Sequence, residues 1–291
     1  DRLVDSFVRN IWSQRMRCFP CHTPNEIDDS NPQHAKPLAR YNEYIEKYGQ
    51  RMNIFRGTPA ETMHAMIASS RRRVGERLPL LNAETPTESL LVLKPTAKLP
   101  AKKEDGSFEK PSSELPVSHM GGLKMFVDDH SYKSFMAWID DYAKTVRQEY
   151  QTEDELPLDN WQATKVVLRM KDMPAEVPNL TPVQMFAFAR GKDPDTWQVK
   201  PIAFTQGLVT PRRFAGGSLL LLLPSDEDMP SPELTPGNYL IKVYADMTGR
   251  LKMDPTAMLP PEDFVGQTEW KARWREGFQQ AEIVADRWLQ K

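Results

Sequence analysis

The pentapeptide Cys18-Phe19-Pro20-Cys21-His22 constrains this chain more than any other part of its sequence. Cys18 and Cys21 are the only two cysteines among the 291 residues, and His22 follows directly after the second. Two thiols at this spacing can each form a thioether to a vinyl group of one porphyrin, while the next imidazole ligates the iron. The sequence therefore predicts one covalently attached haem c, with His22 as the proximal iron ligand.

Two other uses of the cysteine pair stay open. A structural zinc site needs two further good ligands, and the other histidines of the chain lack the paired spacing that such sites show. A thioredoxin-like dithiol follows a strand, whereas the residues before Cys18 have the periodicity of an amphipathic helix. Haem attachment therefore explains the motif better than zinc binding or a redox dithiol does.

The charge balance and the lengths of the apolar runs argue against nucleic-acid binding and against a membrane span. The chain has 38 basic and 40 acidic residues and a net charge of −2, with no basic block of the kind that binds nucleic acid. Its longest apolar run, at 219–223, is far shorter than the roughly 18 residues of a membrane span. We therefore expect no nucleic-acid partner and no transmembrane segment in this chain.

Covalent haem attachment takes place outside the cytoplasm, so the motif also predicts where the protein works. The sequence begins Asp1-Arg2-Leu3-Val4 and passes directly into an amphipathic pattern, without the apolar core of a signal peptide. We expect a periplasmic or otherwise exported protein from which the signal peptide has been removed.

Helical periodicity dominates the first half of the chain. Apolar residues at helical spacing predict helices over 3–12, 37–52 and 132–146, and a capping box with proline at the first helical position opens another at 58–67. The stretch 94–117 is rich in Lys, Pro and Glu and predicts a long surface loop. These patterns predict a mainly helical domain.

Several short motifs stand in an order that resembles planctomycete-type cytochrome c domains, over roughly residues 1–147. They are Cys18 to His22, Glu88-Ser89-Leu90-Leu91, Lys94-Pro95, His119, Gly121 and Gly122, Tyr132, and Trp138-Ile139. The resemblance implies a covalently bound haem c in an exported, mostly helical electron-transfer domain, which we place at residues 1–150.

The sixth iron ligand is expected in the loop before the last of these helices. The resembled family carries either Met-Pro-Pro or His-Gly-Gly-Gly there, and this chain has His119-Met120-Gly121-Gly122, with methionine in place of the first glycine. Glycine lacks a Cβ, so its backbone can lie close to a flat ligand. We rank His119 first, Met120 second and Met125 third as the distal ligand.

The pattern changes after residue 150, and strand signals replace helical ones. Short apolar or alternating segments separated by Pro and Gly predict strands at 164–170, 185–189, 197–204, 218–223, 239–244 and, to close the fold, 281–285. With no helices between them, they predict an antiparallel immunoglobulin-like β-sandwich over residues 151–291. The chain as a whole is expected to be a multidomain α + β protein, and no motif in the second domain indicates a chemical role.

Three functions fit the sequence. The first is an exported c-type cytochrome that transfers single electrons to or from a redox partner protein, with the β-sandwich serving docking or assembly. The second is a haem enzyme or sensor with an open or labile distal site for peroxide or a diatomic gas. The third is a non-haem binding protein with a metal or a disulfide at Cys18 and Cys21. An electron carrier fits better than a catalyst, because no other catalytic motif is present.

Overall fold

The computed structural model describes residues 2–71, 78–97, 103, 104, 117–127, 130–156, 161–223, 232–254, 257–274 and 282–284. The chain divides into two compact units. The first comprises Asp1–Asn10 and Arg17–Pro157, and the second Ile11–Met16 and Leu158–Lys291. Helices build the first unit and a sheet dominates the second, so the protein is a mixed α + β chain.

Five of the described helices belong to the first unit. They are α1 (Arg2–Asn10), α2 (Ala35–Tyr48), α3 (Pro59–Arg71), α4 (Leu90–Thr96) and α5 (His130–Val146). The core of the unit lies between α1 and α5, where the Phe7 and Trp138 rings meet edge to face at 5.0 Å and both side chains are fully buried. The Trp138 indole N–H also donates to the Leu3 carbonyl at 3.1 Å. The helical periodicities of the sequence thus correspond to real helices.

Two helices end before the predicted residue. Helix α2 ends at Tyr48, since Gly49 terminates it and Gln50–Met52 form a separate 3₁₀ turn. The first helix ends at Asn10 instead of continuing to Trp12, and Trp12–Cys18 form a 3₁₀ helix that leads into the cysteine motif. The capping box at the start of α3 is confirmed, because Thr58 Oγ1 accepts from the Glu61 N–H at 3.3 Å.

The early end of α1 has a physical cause. Residues 11–16 belong to the second unit, where the Arg15 side chain is fully buried. Its guanidinium donates to the Ser218 hydroxyl at 3.1 Å and to the Trp12 carbonyl at 3.2 Å, and it lies 4.4 Å above the Trp12 ring. The apolar stripe of the N-terminal sequence is therefore shared between two units instead of covering one helix face.

The described strands of the second unit form one seven-stranded sheet. They are β1 (Trp161–Lys171), β2 (Pro182–Ala189), β3 (Ala203–Leu208), β4 (Ala215–Leu222), β5 (Gly237–Ala245), β6 (Phe264–Ala272) and β7 (Glu282–Val284). Their order is β6-β5-β2-β3-β4-β1-β7; the first six pair antiparallel, and β7 adds to β1 in parallel. Alternate residues of β1, β2 and β5 form its apolar core, among them Leu168, Met185 and Ile241.

Most of the strand predictions are confirmed, including the closing strand near residue 283 and the buried leucines of β4. The strand predicted at 197–204 is wrong over most of its length: β3 begins only at Ala203, and Trp197 makes an isolated bridge with Arg190. Pro201 lacks the N–H that a paired strand needs. Helix α4, strand β6 and the short helix α6 (Arg250–Met253) have no counterpart in the sequence predictions. Residues 94–96, predicted as the start of the loop at 94–117, belong to α4 instead. The immunoglobulin-like two-sheet arrangement stays a prediction.

The first unit extends a few residues past the predicted boundary at 150. Arg2 holds this stretch, because its backbone N–H donates to Glu153 Oε1 and its guanidinium donates to the Asp154 carbonyl, both at 2.7 Å. Much of the loop predicted at 94–117 and the end of the linker predicted at 151–160 lie outside the described residues. None of the helices described here is long and apolar enough to cross a membrane.

Candidate functional site

The cysteine motif folds as a tight turn after the 3₁₀ helix that begins at Trp12. The backbone N–H of His22 donates to the Cys18 carbonyl at 3.0 Å, and the His22 carbonyl accepts from the N–H of Phe55 at 3.0 Å. Both cysteines are partly buried, and no disulfide joins them. The turn thus presents two thiols and one imidazole from a single short segment.

The environment of the two thiols disfavours the charged form. Burial raises the pKa of Cys18 to about 12, although Arg17 and Lys124 act in the opposite direction. Burial also raises the pKa of Cys21, opposed by Arg40 and Lys124. Thiolates are the form that binds zinc and performs disulfide exchange, and burial disfavours that form in the metal-free chain. A thioether carries no charge, so burial imposes no such penalty on it.

The His22 imidazole is held by the backbone of another segment. Its Nδ1 lies 2.9 Å from the Met52 carbonyl oxygen, and because a carbonyl only accepts, Nδ1 carries the proton and donates. Burial lowers the pKa of His22, an effect that outweighs the Met52 hydrogen bond. The ring is therefore neutral, with its Nε2 lone pair available as a metal ligand.

The His119 imidazole is held by its own loop. The Gly122 N–H donates to the His119 carbonyl at 2.8 Å, and His119 Nδ1–H donates to the Gly122 carbonyl at 2.8 Å. Gly122 adopts the left-handed φ of 70° that closes this turn. Burial lowers the pKa of His119 to about 4, so this ring too is neutral with a free lone pair on Nε2.

Gly121 allows the His119 ring to lie against the backbone. A Cβ at residue 121 would stand 2.9 Å from His119 Cε1, closer than real Cβ contacts, and 3.1 Å from Nε2. The first glycine of the pair therefore accommodates the imidazole and the second provides the turn that orients it. The sequence shows the two glycines, but only the fold separates their roles.

The His22 and His119 rings lie next to each other and nearly parallel. Their centroids are 6.2 Å apart and their planes differ by 14°. Metal–nitrogen bonds of about 2.0 Å from two opposed imidazoles give a centroid separation of about 6 Å. In each ring the nitrogen opposite the metal-binding position donates to a carbonyl, the second-shell arrangement of most metal-ligating histidines. The pair suits one metal ion bound between two neutral imidazoles.

Short contacts tie the loop that carries His119 to the rest of the first unit. The Pro95 carbonyl at the end of α4 accepts from the N–H groups of Lys124 and Met125 at 2.7 and 3.2 Å. Arg17, directly before Cys18, donates to the Lys124 carbonyl at 3.1 Å. The histidine loop is thus attached both to α4 and to the residue that precedes the cysteine motif.

The three candidates for the distal position have different surroundings. Of the three, His119 is the one whose ring lies next to the His22 ring, with the centroids 6.2 Å apart. Met120 is partly buried beside it, and Met125 is 2% exposed with its backbone fixed to Pro95. Two residues that support the site, Met52 and Arg17, were not predicted from the sequence. Met52 acts through its backbone carbonyl, which carries no sequence signal, whereas Arg17 could have been noticed from its place beside Cys18.

The alternative of a metal cluster built from several side chains finds no support in the described residues. Within them, no three His, Cys, Asp or Glu side chains gather into a group that could hold a metal ion. No model of a known protein family, no curated protein sequence and no solved structure matches this chain. The case for its function therefore depends on the geometry of Cys18, Cys21, His22 and His119.

The low pKa of His119 predicts an acid-sensitive fold for the chain without bound metal. An unfolded histidine takes up a proton near pH 6.5, whereas His119 in the fold does so at about 4. Its contribution to stability is therefore fully present above pH 6.5 and is lost as the pH falls towards 4. We expect the unfolding constant to rise by at most about tenfold per pH unit in this window from this one group.

Urea unfolding of the metal-free chain at several pH values measures this effect. Other groups titrate in the same range, so the informative quantity is the difference between the wild type and His119→Gln. The variant should show the weaker pH dependence between 6.5 and 4. Equal dependence in the two proteins would contradict the prediction.

Proposed function

We propose that this chain is a c-type cytochrome that carries single electrons. Cys18 and Cys21 would hold a haem c through two thioethers, His22 would ligate the iron on the proximal side, and His119 would ligate it on the distal side. One observation carries the proposal: the two imidazoles lie nearly parallel with centroids 6.2 Å apart, and each donates Nδ1–H to a backbone carbonyl.

The surroundings of the motif also fit a flat, apolar cofactor. Helix α2 has an apolar side formed by Leu38, Tyr41 and Ile45, yet none of its residues is fully buried. Tyr41 donates to Asn53, next to the Met52 carbonyl that orients His22, at 2.7 Å. A haem held by the motif would bury apolar surface in this neighbourhood, which supports haem over a bare metal ion.

Bound haem supplies an iron that changes between two oxidation states by one electron. His22 and His119 would hold the iron as neutral imidazoles, each fixed by a hydrogen bond to a backbone carbonyl. The carbonyls of Met52 and Gly122 make those imidazoles more basic, which stabilises the more highly charged oxidation state. Fixed ligands on both sides favour electron transfer over the binding of small molecules, so we propose a carrier instead of a catalyst.

Four further proposals accompany haem attachment. The protein would be periplasmic or otherwise exported, because covalent attachment takes place outside the cytoplasm. It would exchange electrons with a redox partner protein. The helical unit would be a cytochrome c domain of the planctomycete type, and the sheet unit, as an immunoglobulin-like fold, would serve docking or assembly.

Expression of the chain with export and a haem-attachment system tests the function. We expect a denatured mass increased by one haem and a low-spin spectrum that carbon monoxide does not change. High-spin iron that binds carbon monoxide would instead indicate a haem enzyme or sensor with an open distal site. A product without a Soret band would leave only the non-haem use of Cys18 and Cys21.

Gly121→Ala gives a finer test of the distal arrangement. The new Cβ would stand within 2.9 Å of the His119 ring, so the imidazole must move. We expect distal ligation weakened by about tenfold or more, as for other supporting residues of metal ligands, measured as carbon monoxide binding to the ferrous protein. The control is Gly57→Ala, since a Cβ there meets neighbours only at 3.5 Å or more. A Gly121→Ala protein that excludes carbon monoxide as the wild type does would contradict this role.

A further inference from the structure

Three cationic side chains meet where the cysteine motif, α4 and the His119 loop come together. The Lys94 ammonium donates at 2.7 Å to the carbonyl of Ser118, the residue before His119. Arg17 precedes Cys18, and its guanidinium donates to the Lys124 carbonyl at 3.1 Å. Lys94 and Lys124 are both exposed. These contacts place three positive charges around the paired histidines.

Two arginines extend this set on the side of α2. Arg51 is exposed and precedes Met52, the residue whose carbonyl orients His22, and its guanidinium lies 5.9 Å from the centre of the Tyr48 ring. Arg40 is also exposed, lies 5.7 Å from the Tyr44 ring centre, and acts electrostatically on Cys21. We call Arg17, Arg40, Arg51, Lys94 and Lys124 the basic rim.

The electrostatic effects on the site agree with this geometry. Cations of the basic rim shift the pKa values of Cys18, Cys21, His22 and His119. In the described part of the chain, no other charged side chain outside the motif and His119 contributes to these shifts. The whole chain nevertheless has a net charge of −2. The cations that act on the site are therefore a local feature of the described residues around it.

Exposed apolar side chains accompany the rim. Leu123, Phe126 and Val127, on either side of Lys124, are 36%, 46% and 62% exposed. Apolar contact area next to charged groups is the composition of a transient protein–protein interface. A small anion would use the cations alone, whereas the apolar residues add contact area that only a macromolecular surface can cover.

We propose that the basic rim and the apolar residues beside it form the docking surface for a redox protein with an acidic patch at its own redox centre. This inference rests on the proposed function. Opposite charges would steer the two proteins together and raise the rate of encounter, while the apolar residues would shorten the distance between the centres. One electron would then pass between the partner and the haem iron, so that one centre is oxidised as the other is reduced.

The test uses the haem-loaded protein and two small oxidants of opposite charge. Ferrous protein is oxidised by hexacyanoferrate(III), which becomes hexacyanoferrate(II), or by tris(phenanthroline)cobalt(III), which becomes the cobalt(II) complex. Between ionic strengths of about 10 and about 300 mM, we expect the hexacyanoferrate rate constant to fall about tenfold and the cobalt rate constant to rise. Polyglutamate, as an acidic polypeptide, should slow the hexacyanoferrate reaction.

Charge-reversal variants locate the effect. Lys124→Glu and Arg51→Glu should each lower the hexacyanoferrate rate at low ionic strength by several-fold, with the haem spectrum unchanged. Arg71→Glu, at the exposed end of α3 and near Tyr142, is the control of equal charge and should have little effect.

Any one of three results would overturn the docking proposal. The rate constants of the two oxidants would not change in opposite directions with ionic strength, polyglutamate would not inhibit, or all three variants would have equal effects. The failure of the proposed function itself is distinct, since a chain without haem would show no Soret band and would not enter this experiment.

Discussion

Replacing both Cys18 and Cys21 with serine is expected to abolish covalent haem retention completely. Serine matches cysteine in size but forms no thioether, so haem in the double variant would be held only by the axial histidines. Acid–acetone extraction should remove all haem from it and none from the wild type. Denatured mass spectrometry should correspondingly show the bare chain mass for the variant and the chain plus one haem for the wild type.

The single variants are the matched controls for this experiment. Cys18→Ser and Cys21→Ser each keep one thiol, so each should retain covalent haem through one bond, at reduced yield. The alternative uses of the cysteines predict another pattern, because a metal site or disulfide would leave no haem in any of the proteins. Haem that resists extraction from the double variant would refute thioether attachment at this motif.

The second large effect is expected for His119→Ala. The His119 ring lies next to His22 with centroids 6.2 Å apart, and if it is the distal ligand its removal opens that position of the iron. We expect the iron to become high-spin in the resting protein and the ferrous form to bind carbon monoxide fully, whereas the wild type binds none. Added imidazole should restore the low-spin spectrum, a rescue that a merely structural role of His119 would not allow.

Met120→Leu and Met125→Leu provide the comparison. Both substitutions keep the volume and apolar character of the side chain and remove only the sulfur. If His119 is the distal ligand, both variants keep the low-spin spectrum and exclude carbon monoxide. The sulfur-to-iron charge-transfer band of a methionine ligand should also be absent from the ferric wild type. Its presence, with loss in either methionine variant, would replace His119 as the ligand.

The sequence predicts the chemistry of the candidate site because the two thiols and the proximal imidazole are close along the chain. The spacing of Cys18, Cys21 and His22 is set by covalent geometry within one turn, so it predicts a haem motif directly. Local apolar periodicity likewise predicts several helices and strands. These are α1, α3, α5, β1, β2, β4 and β5. The strand prediction near Trp197 is wrong because strand pairing depends on partners far along the chain. Pro201 also lacks the N–H that pairing needs.

By itself, the sequence determined the cysteine motif and its thiol and imidazole groups, the change from helical to strand periodicity after residue 150, and a short list of distal candidates. Only the tertiary structure decided that His119 lies next to His22, that the carbonyls of Met52 and Gly122 hold the two rings, and that residues 11–16 join the second unit. The reason is physical: backbone carbonyls are the same at every residue, and only folding brings distant segments within hydrogen-bonding distance.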